Sequence, residues 1–84
     1  MRTVLIDREP VELYKILKFE GIASSGAEAK LFIAEGMVTV NSEIETRKRR
    51  KMLAGDVLII DGHELVLALD KSLSSGDSSD EQNK

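Results

Sequence analysis

The chain has no cysteine, no tryptophan, one histidine and one proline among its 84 residues. Without cysteine it can form neither a disulfide nor a thiolate metal site, which fits a reducing cytosol. The lone histidine, His63, follows a hairpin glycine and has no carboxylate–nucleophile pairing beside it; it reads as a solvent-exposed turn residue. One histidine and no clustered carboxylates leave almost nothing from which to build a catalytic or metal centre. No catalytic residue, metal, cofactor or small-molecule substrate is therefore expected. Only three aromatics are present, Tyr14, Phe19 and Phe32, so the core must be aliphatic. Long apolar runs are missing as well. Val4-Leu5-Ile6 before Asp7 is too short for a signal segment or a membrane span, and a soluble, cytoplasmic, monomeric protein is expected. The length allows one small core.

What is present orders itself along the chain. Arg2 to Ile6, with β-branched Thr3, Val4 and Ile6, predicts a short edge strand. Pro10 suits a first helical position, and Leu13, Ile16, Leu17 and Phe19 carry the spacing of a half-buried helix over Val11 to Glu20, stopped by Gly21. Both phenylalanines are expected in the core. After the short linker Ile22-Ala23-Ser24, Ser25 and Glu28 form a capping-box pattern that opens a second helix, ended by Gly36. Met37 to Val40, the turn Asn41-Ser42 and Glu43 to Glu45 predict a hairpin. Val57 to Ile60, Asp61-Gly62 and His63 to Leu69 predict a second one. Beyond Asp70 the composition shifts to five serines, three acids and one leucine, which cannot bury enough surface to order itself. The expected organisation is an α+β domain over residues 1–70 and a disordered acidic, serine-rich tail over 71–84.

Net charge is −3, but five of the twelve basic residues form one run, Arg47-Lys48-Arg49-Arg50-Lys51. Local potential follows local charge, so the run outweighs the sum. It reads either as a solvated loop or as the electrostatic footprint of a phosphate binder, and composition alone weighs these equally. If extended, it would point Arg47, Arg49 and Lys51 one way and Lys48 and Arg50 the other. The start of the second helix is a weaker candidate. Ser25 and Gly26 place free amides at a positive helix end that a phosphate could approach, with Lys30 one turn on; a well-capped helix explains the same residues. Aromatic stacking is not expected, because all three rings sit on predicted helices.

Ser25-Gly26-Ala27-Glu28-Ala29-Lys30, Ile33, Gly36, Val38-Thr39-Val40-Asn41 and Gly55-Asp56-Val57 together resemble the RNA-binding domain of small-subunit ribosomal protein S-four, the αL motif, over about residues 11–61. The small free-standing members of the YbcJ and YaaA type are similar also in Glu45-Thr46-Arg47-Lys48-Arg49. The resemblance implies two packed antiparallel helices against a small, mostly antiparallel sheet. It implies RNA held by the start of the second helix and by the hairpin with its basic neighbours, with Ser25, Lys30 and Asn41 at matching positions; together with Gly26 and the run Arg47, Lys48, Arg49, Arg50 and Lys51 these are the expected RNA-binding residues. Many members carry arginine directly after the serine, where this chain has Gly26, and a further common basic position is Leu31 here. The run Arg47–Lys51 is the substitute. The expected function is binding of structured RNA, ribosomal or transfer, with a ribosomal particle as one setting. The rivals are an adaptor whose basic strip docks on an acidic partner and a module that regulates an enzyme. The acidic tail is a candidate to fold back over the strip as an RNA mimic.

Overall fold

The computed structural model describes residues 1–70. The tail and any fold-back onto the basic run lie outside the described residues. The elements are β1 (Arg2–Ile6), β2 (Val11–Glu12), α1 (Leu13–Phe19), α2 (Gly26–Ala34), β3 (Val38–Val40), β4 (Glu43–Ile44), β5 (Lys51–Met52), β6 (Val57–Ile60) and β7 (His63–Leu69).

Local chemistry explains most boundaries. Ser25 caps α2, its Oγ accepting from the Glu28 amide at 3.1 Å. The Glu28 carboxylate reaches one residue further back than the cap and accepts from the Ser24 amide at 2.6 Å. That bond holds the Glu28 carboxyl below its ordinary value. Both helices end in a Schellman motif with a left-handed glycine. Gly21 and Gly36 donate to Lys18 and Ile33, while Ile22 and Met37 donate to Leu17 and Phe32. The two tight hairpin turns have positive φ at both central residues, Asn41-Ser42 and Asp61-Gly62, the geometry that matches strand twist.

Five strands form one sheet in the order β1-β7-β6-β3-β4, and all its neighbours are antiparallel except β1 with β7. The first strand is therefore an edge, parallel to the last. Alternation sends Val4, Ile6, Val38, Val40, Leu58, Ile60, Leu65 and Leu67 to one face, where they are buried with Leu13, Ile16, Leu17, Ala29 and Ile33 of the packed helix pair. The result is a two-layer α+β architecture with an aliphatic core.

Two expectations need correction. Pro10 does not open the helix: the Glu9–Pro10 peptide is cis, and Val11–Glu12 pair with Lys51–Met52 as a separate two-stranded ribbon. The helix starts only at Leu13. Phe19 is not in the core but 67% exposed at the last turn of α1, whereas Phe32 packs partly buried against it.

Asn41 ties the first hairpin to β6. Its Oδ1 accepts from the Val57 amide at 2.9 Å, and its Nδ2 donates to Asp56 at 3.2 Å. Asn41→Ala leaves that amide without its partner and puts alanine in a left-handed conformation that asparagine tolerates better. The expected loss is about 1–2 kcal/mol of unfolding free energy in a urea titration.

Candidate nucleic-acid interface

The basic run is organised by the acid just before it. Glu45 is only 7% exposed, the one charged side chain buried among the described residues. Its carboxylate accepts from Arg47 Nε and Nη2 at 2.9 Å each, from the Arg47 backbone amide at 2.9 Å and from Arg50 Nη1 at 2.8 Å. The Arg47 side chain contributes most to holding the Glu45 carboxyl down at about 2, against an ordinary 4.5. Burial opposes this, and Arg50 and the Arg47 amide reinforce it. A charged group so hydrogen-bonded stays ionised even where water is excluded.

The run is consequently a turn and not an extended strip. The Arg50 amide donates to the Arg47 carbonyl at 3.2 Å, so the strand-like alternation of its side chains does not occur. The loop also caps α1. Glu12, at the N-cap, makes no side-chain cap bond. Instead the Leu13 and Tyr14 amides donate to the carbonyls of Arg50 (2.9 Å) and Lys48 (3.2 Å). Backbone donors left open at a helix start are thus satisfied by the cationic loop.

Through this docking the loop meets α2 at Tyr14. Lys30 Nζ lies 4.6 Å from the ring centroid and the Arg49 guanidinium carbon 5.7 Å from it. Each such cation–π contact contributes on the order of 0.5–1 kcal/mol at a partly exposed site. Gly26 stands behind the same ring: a Cβ there would lie 3.6 Å from Tyr14 Cε2, an ordinary contact. Gly26 and Lys30 of α2 and Arg49 of the loop therefore share one aromatic platform. Arg47, Arg49, Arg50 and Lys51 line an adjoining concavity of about 540 Å³.

The remaining residues of the expected site divide by what they touch. Lys48 and Lys51 are exposed and have no carboxylate partner among the described residues. Arg49 is exposed and 3.5 Å from Glu12, which also pairs with Lys15. Arg47 is exposed but clamped to Glu45, and Arg50 is half-buried against it. Ser25 Oγ is occupied by its cap, with the Glu28 carboxylate beside the same helix end. Asn41 spends its side chain on Asp56 and Val57. Three participants were missed in the sequence: Tyr14, Glu45 and Glu12. An acid one residue ahead of five cations was the available signal for Glu45. Among the described residues, no three His, Cys, Asp or Glu side chains converge as metal donors.

Comparison with known proteins agrees on one family. The S4 domain model matches residues 4–68. The chain is 47% identical over 66 residues to "Putative RNA-binding protein YbcJ" of Escherichia coli (strain K12), covering 77% of this chain and 94% of that one. It is 41% identical over 59 residues to "Probable ribosome maturation protein RlbA" of Bacillus subtilis (strain 168), covering 70% and 83%. The solution structure of YbcJ from E. coli, described as revealing an αL motif involved in RNA binding, matches with a TM-score of 0.64 and 45% identity over 81% of this chain and 87% of that chain.

Glu45 offers a test that needs no ligand. A carboxyl whose folded-state value is depressed contributes stability that is complete above its unfolded value and disappears as pH falls through the folded one. Glu45→Gln is expected to lower the unfolding free energy by about 2 kcal/mol at neutral pH, allowing for the exposure of Arg47. The difference from the parent should close between pH 4.5 and about 2. Urea titrations across that range measure it; a gap independent of pH would show that the charge of Glu45 is not what holds the loop.

Proposed function

The chain belongs to the S4 domain family, and we propose that it binds structured RNA through the cationic loop and the face of α2 that the Tyr14 platform joins to it. The observation that carries this reading is the convergence of Lys30 and Arg49 on one ring, beside exposed Lys48 and Lys51. Five cations in one loop are opposed by two carboxylates, buried Glu45 and Glu12, so the loop keeps a positive field despite the chain's net charge of −3. Lys30, Lys48, Arg49 and Lys51 neutralise phosphates. Arg47 and Arg50 mainly shape the loop, because a phosphate would have to compete with Glu45 for them. The amides at Ser25 and Gly26 add a directed contact, with the Glu28 carboxylate limiting how much anion that end accepts.

Rigidly spaced cations without a base-reading edge select by the spacing of phosphates, which is how folded RNA is distinguished. The ligand is ribosomal or transfer RNA. The ribosome maturation protein of B. subtilis, 41% identical over 59 residues, favours a ribosomal particle as the setting and the cytoplasm as the location.

Four engaged cations imply a log–log salt slope of about −3 to −4 for binding to a structured RNA. Arg49→Ala combined with Lys51→Ala should weaken binding at least several-fold and flatten the slope by about 1.5–2, with an unchanged circular dichroism spectrum. A flat salt response of the parent, or no RNA bound at low salt, would sink the reading in favour of an acidic protein partner.

A further inference from the structure

The most conspicuous unexplained side chain is Phe19. Several large apolar side chains are exposed, Ile44 at 68% among them, and Phe19, 67% exposed, is the one aromatic ring in that set. It lies on a groove of about 690 Å³ between the end of α1 and the segment preceding it. That volume falls within the range typical of small-ligand sites. The apolar lining comes from Phe19, Pro10 and Val11, and the charged lining includes Lys15 and Lys51.

Two features give the groove a preferred occupant. The first is continuity: Lys51 lines both this groove and the concavity formed by Arg47, Arg49 and Arg50. A strand of nucleic acid lying on the cationic loop therefore has the groove as its immediate neighbour. The second is the balance of charge. Asp7 is engaged with Arg8 at 3.3 Å, and Glu12 is shared between Lys15 and Arg49 at 3.5 Å each. Lys51 has no carboxylate partner among the described residues, so it is the cation free to meet an incoming phosphate. An exposed aromatic face beside available cations is the elementary unit of single-strand recognition, in which a base stacks and its phosphates are neutralised.

We infer that this groove receives one unstacked nucleotide of the bound RNA, its base against Phe19 and a flanking phosphate at Lys51. The inference rests on the RNA reading and adds a preference to it: the protein favours RNA with a bulged or looped-out base next to a stem. Phe19 is the stacking residue, and Pro10 and Val11 supply the apolar surround. This gives the chain two separable modes. The loop reads phosphate spacing, and the groove reads the presence of a free base.

The experiment compares two hairpin RNAs with the same stem, one fully paired and one carrying a single 2-aminopurine bulge. The parent protein should bind the bulged stem more tightly and change the 2-aminopurine fluorescence. Phe19→Ala should lose roughly 5- to 100-fold in affinity for the bulged stem, with its affinity for the paired stem and its salt slope unchanged. Phe19→Tyr, which keeps the ring, should restore the preference, and Phe19→Leu, which keeps only apolar bulk, should not. Circular dichroism melts check that each variant is folded. Equal binding of both stems by the parent, with a steep salt slope, would overturn the base site and leave the RNA reading standing. Equal weakening of both stems by Phe19→Ala would overturn it too. Absence of binding to either stem at low salt would overturn both.

Discussion

The carboxylate of Glu45 is the point on which the cationic half of the molecule turns. It sits between the first hairpin and the cationic loop, almost shielded from water, and gathers two guanidinium groups and a backbone amide. Buried ion pairs stabilise less than their attraction suggests, because both charges lose hydration; their surer effect is to fix one geometry. Here the fixed geometry is a turn. That turn presents the Lys48 and Arg50 carbonyls to the first amides of α1, which have no side-chain cap. One anion thus organises a loop, and the loop completes a helix.

The same arrangement resolves a conflict that five adjacent cations create. Left to themselves they would repel and spread. Glu45 neutralises part of that repulsion from inside, while Glu12 and the Tyr14 ring hold Arg49 from the side. Lys48 and Lys51 remain outward and unpaired among the described residues. The loop is therefore stable without ligand yet keeps free charge where a phosphate can reach it. The five basic residues are not equivalent: two serve structure first, one is braced against an aromatic ring, and two are available.

Much of the fold was legible because its causes are local. Capping by Ser25 and Glu28, the glycine stops at Gly21 and Gly36, the left-handed turns at Asn41-Ser42 and Asp61-Gly62, and period-two burial in β6 and β7 all involve neighbours in sequence. The failures share the opposite property. The β2–β5 ribbon is two residues long on each side and exists through a pairing some forty residues apart, so neither strand carries a pattern. Phe19 follows Ile16 by three residues, but the buried stripe of α1 is Leu13, Ile16 and Leu17, and position 19 falls outside it. Of the site, the type of charge was readable and its availability was not. Which of Arg47 to Lys51 is free depends on Glu45, Glu12 and Tyr14, and only the folded chain brings these to the loop.

Tyr14 shows how little aromatic material the interface needs. Its ring is contacted by a lysine from α2 and an arginine from the loop, and it lies beside Gly26 at the start of α2. An arginine immediately after Ser25 would have brought charge directly to the helix start. With glycine there, the helix is instead coupled through the Tyr14 ring to a separate source of charge. A phosphate field carried by the helix itself would be fixed by that helix alone. Carried by a loop, it depends on the dockings that position the loop: Glu45 beneath it, the α1 amides behind it and Tyr14 beside it. The proposed RNA-facing surface is in this sense a tertiary property, since the position of each cation is set by groups distant in sequence.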